Sequence, residues 1–139
     1  MKIILAIALS LITSQLYAQK MYVYKVSRVI DGDTLELETT NESQLIKDLG
    51  LQIRVLGIDT PEKKGKCPKE KDLAQKATLL IKNLVENKEV AISNVSWDKF
   101  GGRIDANVFI NGVNINDKLF KRNLAIPYFG EKKEKDWCK

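Results

Sequence analysis

Two short acidic stretches, Asp31-Gly32-Asp33 and Asp59-Thr60-Pro61-Glu62, and two arginines, Arg54 and Arg103, are the residues of this chain best suited to chemistry. Taken one at a time they are bland. The first stretch is a hairpin turn, the second a strand end with a helix-capping carboxylate, Arg54 a surface cation and Arg103 a partner for Asp105. Together they say more. Asp33 opens one strand-like segment and Asp59 closes the next, so a hairpin of the two brings both acids to the end opposite its tip. Clustered carboxylates repel one another unless a cation sits among them. Hard oxygen donors in flexible geometry suit Ca2+. Glu62, three residues beyond Asp59, is placed to take the proton of an ion-bound water. Two guanidinium forks match the oxygens of a phosphate. With a divalent cation they would neutralise the charge that builds on phosphorus during in-line attack. The chain contains no histidine, which excludes Ser-His-Asp and Cys-His catalysis and His-ligated zinc.

These residues need a scaffold, and the apolar periodicity supplies one. Residues 21–30 are rich in β-branched and aromatic types and read as a strand. After the Asp31-Gly32 turn, residues 34–39 alternate Leu35 and Leu37 with Glu36 and Glu38, a half-buried second strand. Residues 40–50 form a long polar hairpin tip, and residues 51–58 a third strand ended by Asp59-Thr60-Pro61. The lysine-rich stretch 63–71, with Gly65 and Pro68, reads as an exposed mobile loop. From Asp72 the apolar residues Leu73, Ala74, Ala77, Leu80, Ile81, Leu84 and Val85 recur at helical steps, which predicts an amphipathic helix. Residues 89–97 and 103–110 give two further strands, the second with Ile104, Ala106, Val108 and Ile110 on one side and a turn at Asn111-Gly112. A short helix over 115–122 follows, with Asn123 as a left-handed cap. The expected fold is α+β and mainly β: a five-stranded OB-fold barrel with an amphipathic helix and a short second helix. Such barrels often bind without catalysing, so the fold alone does not give the function.

The length of 139 residues, with 44% hydrophobic and 29% charged residues, bounds the chain to one globular domain. The formal charge of +5 suits an anionic partner such as nucleic acid, although a modest excess of this size also serves solubility alone. Lys2, the apolar run from Ile3 to Leu11 and Leu16-Tyr17-Ala18 have the layout of a secretory leader. The expected organisation is a signal peptide over residues 1–18 and one domain over 19–139, exported to the periplasm or the medium. The apolar run is too short to span a bilayer, so no stable membrane association is expected once the leader is removed. One small barrel needs no second subunit. Cys67 and Cys138 are the only cysteines, and spacing alone leaves both a disulfide and two free thiols open.

Four motifs in order resemble the signatures of the staphylococcal-nuclease (thermonuclease) family. They are Val29-Ile30-Asp31-Gly32-Asp33-Thr34-Leu35, Arg54-Val55-Leu56-Gly57-Ile58-Asp59-Thr60-Pro61-Glu62, Asp98-Lys99-Phe100-Gly101-Gly102-Arg103 and Asn111-Gly112-Val113-Asn114-Ile115-Asn116-Asp117. The likeness continues from Leu119 to Tyr128. It implies that Asp33, Asp59 and the backbone carbonyl of Thr60 hold Ca2+, and that Arg54, Glu62 and Arg103 are catalytic. It also implies that Asp31 supports the metal from outside, and that Lys99 and Tyr128 contact the nucleotide. The implied reaction is endonucleolytic hydrolysis of DNA and RNA to 3′-phosphate products. The alternative is a non-catalytic OB-fold module that binds nucleic acid, which would be expected to lack some of these acids or arginines; none is missing here. Three departures stand out: the long tip at 40–50, Phe100 where a tyrosine is common, and the extra residue of Gly101-Gly102 before Arg103. A one-residue slip inside a strand would turn Arg103 to the wrong face. The intact spacing from Arg103 to Asn111-Gly112 places the extra glycine in the loop instead.

Overall fold

Side chains that alternate inward and outward along the strands build the barrel, in a computed structural model that describes residues 19–39 and 51–139. The expected leader over 1–18 and the hairpin tip over 40–50 lie outside the described residues. The strands are β1 (Met21–Asp31), β2 (Thr34–Leu37), β3 (Leu51–Val55), β4 (Ile58–Asp59), β5 (Glu89–Trp97), β6 (Ile104–Ile110), β7 (Val113–Asn114) and β8 (Ile126–Pro127). The helices are α1 (Pro68–Val85) and α2 (Asn116–Phe120). The sheet runs β3-β2-β1-β5-β6-β7, and β3 also pairs in parallel with β6, which closes the first five strands into a barrel. The fold is thus the expected α+β, OB-type barrel with two helices.

Register fixes which side chains face inward. In the β2–β3 hairpin Leu35 faces Ile53 and Thr34 faces Arg54, so Leu35, Leu37, Ile53 and Val55 fill the core while Arg54 projects away from it. Val90 and Ile92 of β5 and Ala106 and Val108 of β6 join them. Each large apolar side chain buried here contributes roughly 1.5–3 kcal/mol of transfer free energy before conformational entropy is counted. Helix α1 lies against β1 and buries Ala74, Ala77, Ile81 and Val85 at steps of three and four residues. Asn123 has the expected left-handed backbone, φ 55°, and the Leu124 N–H closes back on the Leu119 carbonyl at 3.0 Å.

Among the boundaries that differ from the sequence reading, three bear on the site. The third strand is not continuous over 51–58: Gly57 takes φ 80° and turns the chain away, so that Ile58 and Asp59 pair with β8 instead. The long helix begins at Pro68 rather than Asp72. A proline in the first turn has no N–H to leave unpaired, and the Cys67 sulfur caps the helix by accepting the Glu70 N–H at 3.4 Å. The fifth long strand begins at Ile104, because Arg103 closes the preceding loop: the Asp98 N–H donates to the Arg103 carbonyl at 3.1 Å. The extra glycine sits in that loop, with Gly101 and Gly102 at φ 77° and 75°. The pairing Trp97↔Ile104 is undisturbed.

Of the two states open for the cysteines, the structure has the disulfide, with Cys67 and Cys138 joined at a Cα–Cα distance of 6.1 Å and 71 residues apart in sequence. A loop of that length is worth about 4 kcal/mol in the chain-entropy account. The bond fastens the C-terminal tail to the start of α1, and the neighbouring Trp137 is buried. No helix among the described residues is long and apolar enough to cross a membrane.

Candidate active site

The turn Asp31-Gly32-Asp33 between β1 and β2 presses against α1. A Cβ on Gly32 would come within 3.0 Å of the Ala77 side chain and 3.1 Å of Thr60, so this turn has no room for a side chain at that position. Asp33 is thereby held beside Thr60 and next to the end of β3. Its carboxylate accepts the Thr60 hydroxyl at 3.0 Å and the Thr34 hydroxyl at 3.1 Å, and Arg54 lies 3.3 Å away. Asp31 accepts the Asp33 N–H at 3.2 Å, which shapes the turn from outside. Burial pushes the Asp33 carboxyl above its ordinary value, and Asp31 adds to that push, although Arg54 and the Thr60 hydroxyl oppose it. A buried carboxylate in this condition gains from a nearby positive charge.

Arg54 makes more contacts than a surface cation would. Nη1 donates to the Val55 carbonyl at 2.8 Å and Nη2 to the Ile58 carbonyl at 2.9 Å, so the side chain bridges the β3–β4 turn. Of its five N–H donors, Nε and one hydrogen of Nη2 remain for an outside anion. Arg103 is held differently. Its Nε donates to Asp98 Oδ2 at 3.1 Å, and Asp98 Oδ1 accepts the Phe100 N–H at 2.8 Å. The partner is Asp98, not the Asp105 that sequence proximity offered. Burial works against ionisation of Asp98, but the Phe100 N–H and the Arg103 guanidinium outweigh it and keep the carboxyl below its ordinary value. With Nε engaged, the two Nη groups of Arg103 are the pair able to fork onto a phosphate.

Both arginines line one cleft of about 830 Å³, together with Lys99, Tyr128 and Lys133. Asp33 meets the cleft through Arg54. Asp59 and Glu62 meet it through Lys133, whose ammonium lies 2.5 Å from Asp59 Oδ1 and 3.5 Å from Glu62 Oε1. Burial alone would lower the Lys133 pKa, yet Asp59 and Glu62 more than reverse this and raise it. Thus Asp33 touches both Arg54 and Thr60, Asp59 and Glu62 share one lysine, and Arg103 faces the same cleft from the β5–β6 loop. Lys99 and Tyr128 are at its wall.

The donor set fits a hard cation. Among the described residues no three His, Cys, Asp or Glu side chains gather closely enough to hold a metal by themselves. Two buried carboxylates, Asp33 and Asp59, and the Thr60 backbone between strand end and loop are the oxygen donors present. Ca2+ accepts such a partial set because carbonyls and waters complete its shell. The cationic Lys133 already beside Asp59 marks that carboxylate as one that draws positive charge.

Glu70, Lys133 and an aromatic rim escaped the sequence reading. Glu70, buried in the first turn of α1, accepts the backbone N–H of Glu62 at 3.3 Å and of Lys66 at 2.9 Å. Gly65 allows this approach, since a Cβ there would lie 2.5 Å from the Glu70 carboxyl group. The sequence held no clear cue, because Cys67 is not one of the usual capping types that would mark a glutamate three positions later. Glu70→Ala leaves both N–H groups without their acceptor, so a loss of about 1–3 kcal/mol is expected. Because the Glu62 loop shifts as well, turnover should fall, but by less than in Glu62→Gln; thermal melts and single-turnover rates check both. The rim consists of Trp97, Phe100 and Phe129, which are 79%, 81% and 83% exposed around the same cleft. Its cue was two large aromatics three residues apart, Trp97 at the end of β5 and Phe100 in the loop that follows.

A closed five-stranded barrel with two helices and two arginines on the wall of one cleft places this chain among the OB-type barrels. A family model described as staphylococcal nuclease homologue matches residues 52–138, more than half of the chain. The chain belongs to the staphylococcal nuclease family. It is 31% identical over 105 residues to a protein of Escherichia coli named uncharacterized endonuclease, a match covering 75% of this chain and 60% of that protein. It is also 31% identical over 107 residues to a thermonuclease of Staphylococcus hyicus, covering 76% and 59%. With a thermonuclease of Staphylococcus intermedius the identity is 30% over 108 residues, covering 76% and 60%. The chain therefore spans about 60% of the length of these relatives.

Proposed function

We propose that this protein is a calcium-dependent endonuclease that hydrolyses phosphodiester bonds of DNA and RNA and leaves 3′-phosphates. The observation that carries this reading is the convergence of Arg54 and Arg103 on one cleft whose lining residues contact Asp33, Asp59 and Glu62. Asp33, Asp59 and the Thr60 carbonyl would hold Ca2+, and the bound ion would supply Lewis-acid polarisation of the phosphate and an acidified water. Glu62 takes the proton of the attacking water. Arg54 and Arg103 clasp the phosphate from two sides, and their forks tighten as charge grows on its equatorial oxygens. Lys99 and Tyr128 hold the nucleotide alongside. Trp97, Phe100 and Phe129 offer faces on which bases can stack.

The names of the Escherichia coli and Staphylococcus relatives support nuclease chemistry. Residues 1–18 have the layout of an export leader, and a disulfide belongs in an oxidising compartment, so the domain over 19–139 is proposed to act as a monomer in the periplasm or the medium. The test is degradation of a labelled DNA and an RNA with Ca2+, with EDTA, and by Glu62→Gln. Cleavage is expected with Ca2+ only, with Glu62→Gln slower by roughly 10²-fold or more. A chain that binds both polymers but cuts neither would be the non-catalytic binding module instead.

A further inference from the structure

Lys133 is delivered to the site by a strap pinned at both ends. At one end the Tyr128 N–H donates to the Gly57 carbonyl at 3.0 Å, next to β4. At the other, Cys138 is bonded to Cys67 and Trp137 is buried. Between these anchors the Lys133 ammonium sits 5.7 Å from the Tyr128 ring centre and against Asp59, whose side chain is only 5% exposed. An oxygen of Asp59 that coordinates Ca2+ at about 2.3–2.6 Å cannot also keep an ammonium in contact, because the two cations would repel at that range.

We propose that Lys133 is a tethered counter-cation: it occupies the Asp59–Glu62 carboxylate pair in the metal-free protein and must be displaced before a divalent ion binds. This inference rests on the metal-binding reading above. It assigns the tail a regulatory role, in which the Cys67–Cys138 bond keeps the competing charge at hand and its removal frees the site. The local concentration of a tethered ammonium is high, so the displacement weakens the observed metal affinity without any contact to substrate.

Calorimetric titration of Ca2+ into the oxidised protein, with no nucleic acid present, tests this. Lys133→Met should tighten the Kd by about tenfold, which corresponds to about 1.4 kcal/mol. Lys133→Arg should stay near the wild-type value. Lys132→Met, the same charge change one residue away on the exposed strap, should alter Kd less than twofold. Cys138→Ser should tighten binding when Lys133 is present and add nothing in the Lys133→Met background. An unchanged or weaker Kd for Lys133→Met, or an equal gain from Lys132→Met, overturns the proposal. A Cys138→Ser effect that is absent, or the same in both backgrounds, overturns the tether. If neither the wild type nor Lys133→Met binds Ca2+, the metal-binding reading itself falls; if the wild type binds and Lys133→Met binds no better, only this inference does.

Discussion

Arg54→Ala should lower turnover by roughly 10²–10³-fold, the usual loss when a donor aimed at developing charge is removed. The same substitution should lower the melting temperature. Its guanidinium donates to the Val55 and Ile58 carbonyls, and alanine leaves both without that donor at the β3–β4 turn. The turn leads directly into Asp59 and Thr60, so the segment proposed to hold the metal moves with it. Arg54→Lys separates charge from shape. One ammonium cannot reach two carbonyls, Asp33 and a phosphate at once, so lysine should recover little of the lost turnover despite its charge. Steady-state rates with thermal melts of the three proteins check this, and near-wild-type turnover in Arg54→Lys would reduce Arg54 to a simple point charge.

Asp33→Asn should move activity and stability in opposite directions. Turnover should fall by roughly 10³-fold or more, because a buried carboxylate proposed to hold the ion is replaced by a neutral amide. Yet the metal-free protein should melt higher than wild type at neutral pH. Burial raises the Asp33 pKa above its ordinary value of 3.8, so the folded state binds this proton more tightly than the unfolded chain does. Its contribution is therefore fully present below pH 3.8 and is lost as pH rises through the raised value. At neutral pH the wild type carries that cost, and asparagine does not. The gain should shrink toward zero as the pH is lowered below 3.8. Arg54 keeps its two carbonyl acceptors in the variant, which limits the opposing loss. Melts across pH, without metal, measure the difference; a destabilised Asp33→Asn at neutral pH would mean that the Arg54 contact outweighs burial.

Much of this arrangement could be read from the residues themselves. Leu35, Leu37, Ile53 and Val55 alternate with polar neighbours, and that period of two fixes both the β2–β3 pairing and the outward direction of Arg54. The hairpin then places Asp33 beside Arg54 with no further information. The break at Leu56-Gly57 was hidden because its cause is distant: Ile58 and Asp59 pair with Pro127 and Ile126, about half the chain away. Pro68 misled as a breaker because the same ring that ends a helix also starts one. Arg103 found Asp98 because the tight loop turns the Asp98 carboxylate toward both the Phe100 N–H and Arg103. Lys133 had no local signal at all. Its place depends on a disulfide between residues 71 positions apart, and a cysteine pair alone does not say what lies beneath the tail it anchors.

The proposed chemistry requires one cation and two guanidinium groups to act on a single phosphate. A crystal structure of the protein with Ca2+ and a nucleoside bisphosphate tests it most directly. The expected result is one ion held by Asp33, Asp59 and the Thr60 carbonyl, with Lys133 withdrawn from Asp59 and with Arg54 and Arg103 both donating to the same phosphate group. A phosphate bound by only one of the two arginines, or an ion bound away from Asp33 and Asp59, would contradict the account.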